Sequence, residues 1–176
     1  NGGDADQITV DVYREDTDGE LGELLGSATS AIDDSCAATE DELRQDIVVA
    51  VRKLGAYAIA NIPTETPLIV KTSGNGDYWK DLYTYNFQIL NDEVETGAPP
   101  SGSCSSTPTS SRYRYKARTL SRSDYNAIPL TAGVPSGIAS GHGALAGEIH
   151  DCDDVRVKIA LVATNPKPIT LVYFSD

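Results

Sequence analysis

Alternating apolar and polar residues mark the first part of the chain. Apolar residues stand at every second position, at Ile8, Val10 and Val12. The position after each of them holds Thr9, Asp11 or Tyr13. Because successive side chains of a strand point to opposite faces, this period predicts a half-buried β-strand. The segments 67–73 and 82–90 also have strand character, and a Gly-Asn-Gly turn lies between them.

The pattern becomes helical between residues 40 and 60. Thr39 and Glu42 are three positions apart, as the two partners of a capping box are, and acidic residues fill the first turn. Apolar residues then recur every three or four positions, at Leu43, Ile47, Val51, Leu54 and Ala58. The sequence therefore predicts one amphipathic helix over about 40–60, which ends before Pro63.

Strand patterns follow the helix to the end of the chain. Over 82–90, alternation predicts one apolar and aromatic face, formed by Tyr83, Tyr85, Phe87 and Ile89. The last two strand patterns cover 155–164 and 168–176. This order predicts an α+β fold, in which one helix packs on a mostly antiparallel β-sheet or sandwich. We expect a single domain, 1–176, with a long Pro/Gly/Ser/Thr-rich surface loop at 96–111.

Charge and cysteine usage indicate where the protein works. The formal net charge of −12 opposes binding to nucleic acid, and no run of about 18 apolar residues predicts a membrane span. The start at Asn1 without methionine suggests a processed, secreted chain. Cys36, Cys104 and Cys152 lie in polar surroundings and form no C-x-x-C pair. This favours an extracellular location and one disulfide bond, with Cys104 the favoured member.

Residues 140–154 concentrate more reactive side chains than any other window. They include both histidines, Cys152 and four carboxylates. His150 and Asp153 are possible metal ligands, but the spacing fits no zinc motif, and the aspartates around Cys152 disfavour a nucleophilic thiolate. A metal site or a secreted hydrolase here is an alternative to a polar loop. No phosphate loop, dinucleotide fingerprint or haem motif appears, so the sequence predicts no organic cofactor.

Acidic turns offer oxygen ligands for calcium. Asp16 and Asp18 stand in an acidic turn that contains glycine, and Asp77 follows a Gly-Asn-Gly sequence. Calcium prefers carboxylate and carbonyl oxygens, but the first turn fails the EF-hand pattern at its first and twelfth positions. The sequence allows a structural calcium ion, and solvated acidic turns are the alternative.

A basic segment follows the long loop. Alternation over 112–118 predicts a strand with tyrosine and alanine on one face and four cations on the other. The cations are Arg112, Arg114, Lys116 and Arg118. Three uses of this basic face are open: an edge that charge protects from association, a site for acidic ligands, and a contact between copies of the chain.

A contact between copies is the use that the termini favour. Terminal strands can add to the sheet of a neighbour, which would bury Ile8, Val10 and Val12 or, at the other end, Leu171 and Tyr173. The sequence therefore predicts a non-enzymatic structural subunit of an extracellular filament or surface assembly, formed as a homopolymer.

A secreted carbohydrate-binding module is the main alternative function. Trp79, together with Tyr78, Tyr83 or Tyr85, would form a stacking platform for a glycan. The competing interpretation of Trp79 is an anchor of the core. A secreted hydrolase that uses 140–154 is the third possibility.

Overall fold

The computed structural model describes residues 7–32, 55–98 and 110–145, together with residues 147, 157 and 168. Within these residues the chain forms eight β-strands, one α-helix and a 3₁₀-helix at Asn91–Glu93. The strands are β1 Thr9–Glu15, β2 Leu21–Thr29, β3 Ala31–Ile32, β4 Gly55–Ala56, β5 Leu68–Ser73, β6 Trp79–Lys80, β7 Leu82–Phe87 and β8 Leu120–Ser121; the helix, α1, is Arg122–Thr131. The predicted α+β fold, mostly antiparallel sheet with one helix, is confirmed for the described chain.

The chain divides into two compact units, 1–125 and 126–176. The first contains all eight described strands and the beginning of α1. In the second, the described residues are the remainder of α1 and the turns after it. The backbone N–H of Val134 donates to the Pro129 carbonyl at 2.7 Å, and this bond closes the end of the helix.

Four antiparallel strands form the main sheet of the first unit, in the order β2–β1–β5–β7. β1 is an inner strand, because β2 pairs with one of its edges and β5 with the other. Two shorter antiparallel pairs, β3–β4 and β6–β8, complete the described strands.

One face of this sheet forms most of the described core, and Ile69 on the opposite face is also fully buried. Val10 faces Thr72 and Val12 faces Val70 across β1 and β5, and all four side chains are buried. Ile8, just before β1, is also buried. The partly buried residues packed on this core include Tyr57, Ile59, Trp79, Phe87, Tyr113, Tyr115 and Ala117. The predicted half-buried strand is thus confirmed, with its apolar face inside its own chain.

The predicted helix over 40–60 is wrong at its C-terminal end, and its residues 40–54 lie outside the described part. Residues 55–60 are β4 followed by an extended segment. Here Tyr57 and Ile59 pack on the sheet while Ala58 and Ala60 are exposed, which is the period of a strand. Packing against the sheet therefore decides this conformation, and Gly55 weakens any helix that reaches it.

The described helix, α1, follows a segment predicted as a strand. Ser121 Oγ accepts a hydrogen bond from the Asp124 backbone N–H at 3.0 Å and donates one to the Asp124 carboxylate at 2.7 Å. Ser121 and Asp124 are three residues apart, the spacing of the [ST]-x-x-[DE] motif that begins helices. That signal was present in the sequence, but Pro129 inside the helix obscures it.

A β-bulge in β7 reverses part of its predicted face. Val70 faces Thr84 and Leu68 faces Phe87, so between these two pairs one residue of β5 opposes two residues of β7. Asn86 takes up the extra residue with a φ of 55°. Before the bulge, Tyr83 and Tyr85 are exposed; after it, Phe87 and Ile89 turn to the core. The prediction of one continuous aromatic face is therefore wrong.

Candidate functional site

The basic segment 112–118 is extended, but it is not the predicted strand with four exposed cations. It makes one bridge, between Arg112 and Glu95, and its other residues belong to no strand. Alternation of exposure does occur: Arg114, Lys116 and Arg118 are exposed, and the residues between them lie against the sheet. Two hydrogen bonds hold the segment against the sheet. Tyr57 Oη donates to the Tyr115 carbonyl at 2.8 Å, and Thr72 Oγ1 donates to the Arg118 carbonyl at 2.7 Å.

Arg112 departs from the predicted basic face because it is buried, with 9% of its surface exposed. Its guanidinium forms an ion pair with Glu95 at 2.9 Å and donates to the Gly97 carbonyl at 2.7 Å. Two backbone hydrogen bonds of 2.9 Å also join Glu95 and Arg112. A buried cation needs such partners. Arg112 therefore joins its own segment to the chain at Glu95 and Gly97, and it does not contribute charge to a surface.

The residues predicted for a contact between chains lie in two different situations. Ile8, Val10 and Val12 are in the core of their own chain, and β1 already has a partner strand on each edge. In this arrangement β1 has no edge left to offer a neighbour, which is a correction to the predicted use of 7–14. Leu171 and Tyr173 lie outside the described residues.

The predicted glycan platform of Tyr78 and Trp79 is divided between surface and core. Tyr78 is 70% exposed. Trp79 packs on the core cluster, and its ring lies so close to Gly74 that an added Cβ would approach the ring at 2.9 Å. This geometry matches the interpretation of Trp79 as an anchor of the core, so the two rings do not form one flat surface.

A different pair of tyrosines is brought together on the outer face of the sheet. The Tyr83 and Tyr85 rings have centroids 6.5 Å apart and planes within 28° of parallel. Lys71, the register neighbour of Tyr83 on β5, places its Nζ 5.5 Å from the Tyr83 ring centroid. Lys71 also forms an ion pair with Asp81 at 2.9 Å. We call Lys71, Asp81, Tyr83 and Tyr85 the tyrosine face.

The polar row of this face continues across the sheet. Asp11 on β1 faces Lys71, and Ser27 on β2 faces Asp11 and donates to its carboxylate at 2.6 Å. The hydrogen bond from Lys71 to Asp81 raises the pKa of the Lys71 ammonium, so this group stays charged over the physiological range. Sequence reasoning missed Lys71 and Asp81, because their approach depends on the register of β5 with β7.

Hydrogen bonds between the Asp16 side chain and nearby backbone stabilise the acidic turn between β1 and β2. The Asp16 carboxylate accepts hydrogen bonds from the backbone N–H groups of Asp18 and Glu20, at 2.9 and 2.8 Å. Such a turn is typical of aspartate at this position. Asp77 likewise lies in a turn, where its backbone N–H donates to the Asn75 side chain at 3.0 Å. In the described part of the chain, no three His, Cys, Asp or Glu side chains are grouped to hold a metal ion.

Most of the window 140–154 lies outside the described residues. His142 is described; it is exposed, and its Nδ1 lies 3.2 Å from the Ser140 carbonyl. His150, Cys152 and Asp153 are not described, and neither are Cys36 and Cys104. The predicted disulfide bond and the alternative metal or hydrolase site stay predictions.

No protein-family model, curated protein or solved structure matches this chain. Across residues 7–32, 55–98 and 110–145, no helix is long and apolar enough to cross a membrane.

Proposed function

We propose that this chain is a non-enzymatic structural subunit of an extracellular filament or surface assembly. The observation that carries the proposal is the composition of β2 and β7, the outermost of the described strands of the main sheet. β2 contains one charged residue, Glu23, and β7 contains none; neither contains proline. Proteins that stay monomeric usually protect such edges with lysine or proline, because an open edge is a template for another strand.

The two edges differ from each other, and this favours an open-ended assembly. Among the described strands, β2 and β7 are each paired on one side only. Pairing the β2 edge of one copy with the β7 edge of the next would repeat in one direction. Exposed Leu21 and Leu24 on β2 provide apolar area for such a contact.

The outward-pointing part of β2 can be identified from its hydrogen bonds. Ser30 directs both its N–H and its carbonyl to the β1 side, to Ile8 and Gln7. Backbone groups of an antiparallel strand alternate between its two edges. Thr29 and Ser27 therefore direct their backbone groups away from β1, to the edge of β2 that pairs with no described strand.

Charge complementarity orients the copies in this proposal. The turn between β1 and β2 is rich in carboxylates, and the segment 114–118 exposes three cations at its alternate positions. At physiological salt such attraction reaches about 8 Å, so it selects an orientation while strand pairing provides most of the affinity.

Removal of one backbone donor tests the proposal. In Thr29→Pro the outward N–H is lost while the bonds to β1 stay, because proline is tolerated on an edge. Sedimentation velocity at increasing concentration should show growing oligomers for the native protein and a large shift to the single subunit for this variant. Thr29→Val, which keeps the N–H, is the matched control and should assemble like the native chain. A native protein that stays monomeric at high concentration would contradict the proposal.

A further inference from the structure

The outer face of the sheet has the composition of a ligand site where β5 meets β7, although Ile69, two residues before Lys71 on the same face, is fully buried. Lys71 and Tyr83 stand on the side opposite to Val70, because neighbouring residues of a strand alternate between faces. Tyr83 is 36% and Tyr85 is 45% exposed. Two neighbouring aromatic rings on one strand are thus open to solvent, beside an ion pair.

Three contacts fix the geometry of this surface before any ligand arrives. The two rings stand nearly parallel, the Lys71 ammonium approaches the Tyr83 ring, and Asp81 holds that ammonium at 2.9 Å. The strand pairing of β5 with β7 supports all of them. A surface that is ordered in advance loses little conformational entropy on binding.

We propose that the tyrosine face binds a neutral glycan. The C–H face of a pyranose ring is apolar and stacks on aromatic rings, while its hydroxyl groups both donate and accept hydrogen bonds. Tyr83 and Tyr85 supply the rings; Asp81 supplies acceptors and Lys71 supplies donors at their border. Specific small-ligand sites combine apolar rings with a few fixed polar groups in this way.

The charge of the molecule selects among glycans. Asp81 neutralises Lys71, and the whole chain carries a net charge of −12. Uronic-acid or sulfated polymers are therefore repelled by the molecule as a whole and gain no free cation at the site. A neutral hexose or pentose polymer meets neither penalty. This site is independent of the β2 edge and would serve adhesion in an assembled or a single subunit.

Affinity electrophoresis provides the test. The probes are gels that contain β-glucan, xylan or galactomannan as neutral polymers, and alginate or heparin as acidic ones. We expect at least one neutral polymer to retard the native protein. Tyr85→Ala should weaken that binding by about tenfold, and Tyr85→Phe should largely keep it because the ring remains.

Tyr78→Ala is the matched control, because Tyr78 is more exposed and stands outside the face; it should bind like the native chain. The Thr29→Pro subunit should also bind, so loss of assembly and loss of glycan binding are separate results. Retardation by acidic polymers alone, by none of the polymers, or to an equal extent in Tyr85→Ala and the native protein would overturn the proposal. Circular dichroism of each variant confirms that it is folded.

Discussion

The burial and orientation of single side chains depend in this protein on partners that lie far along the chain. Arg112 belongs by alternation to an exposed basic face, yet it is buried because Glu95 and the Gly97 carbonyl lie where its guanidinium can reach them. Asn86, with its positive φ, turns Phe87 and Ile89 to the face opposite that of the tyrosines before it. Neither event leaves a mark on the local pattern of apolar and polar residues.

Removing the charge of Glu95 should destabilise the fold. Glu95→Gln leaves the Arg112 cation buried without its counter-charge, so we expect the free energy of unfolding to fall by about 1–3 kcal/mol. Urea denaturation measures the change. Glu23→Gln is the control: Glu23 pairs with Arg14 at 3.8 Å and its side chain is 71% exposed, so its change should stay within about 0.5 kcal/mol. Equal effects of both substitutions would contradict the role of the buried pair.

At the scale of elements, local period predicts three strands of the main sheet and misses the fourth, β2, whose first half the sequence indicates as part of an acidic turn with glycines. β1, β5 and β7 fall within the segments that alternation predicts, because pairing and burial of one face act at every second residue. The end of the predicted helix fails at 55–60, where Tyr57 and Ile59 bury against a sheet formed by distant strands. Of the tyrosine face, the sequence indicates only the two tyrosines as candidate rings. Their position beside Lys71 and Asp81 depends on the bulge and on the register of β5 with β7.

Tyr57 links two elements and makes their contact sensitive to alkali. Burial raises the pKa of Tyr57 to about 12, and its hydroxyl donates to the Tyr115 carbonyl. Because the pKa of the folded state lies above the ordinary 10.0, the unfolded chain loses its proton first as pH rises. The stabilisation is complete below pH 10.0 and is lost as pH rises toward about 12.

Urea midpoints between pH 8 and pH 12 test this dependence. We expect the native protein to lose stability above pH 10, and Tyr57→Phe to lose less over the same interval. At pH 8, Tyr57→Phe should be less stable by about 1 kcal/mol, because its hydrogen bond is absent. Tyr78→Phe, at an exposed position, should follow the native curve. Parallel curves for Tyr57→Phe and the native protein would refute the assignment.

For the whole molecule, the proposals describe a secreted protein with surfaces for itself and for a glycan. The sheet supplies both: its edges offer backbone groups and its outer face offers rings. These surfaces lie on one compact unit, 1–125, so a single folded body can present them. The sequence indicates association and glycan binding as classes, but it assigns association to the terminal strands and glycan binding to a platform centred on Trp79, not to the β2 and β7 edges and the tyrosine face.

Thiol counting tests the proposed extracellular location. Two of Cys36, Cys104 and Cys152 should be joined, so the denatured, non-reduced protein should expose one thiol and the reduced protein three. Loss of the bond should lower stability by about 2–4 kcal/mol, since the cross-link restricts the unfolded chain. Three reactive thiols without reductant in the native preparation would argue against secretion.

The bulge at Asn86 also affects how β7 can change during evolution. A substitution in β7 alters one side chain at a time. Deletion of one residue at the bulge would instead restore plain alternation, and all residues on one side of the bulge along the chain would then move to the opposite face of the sheet. Phe87 and Ile89 could then share the outer face with the tyrosines, or the tyrosines could turn inward with them. A related chain that differs by one residue at this point would therefore differ, through a single genetic event, in which residues of β7 face the core.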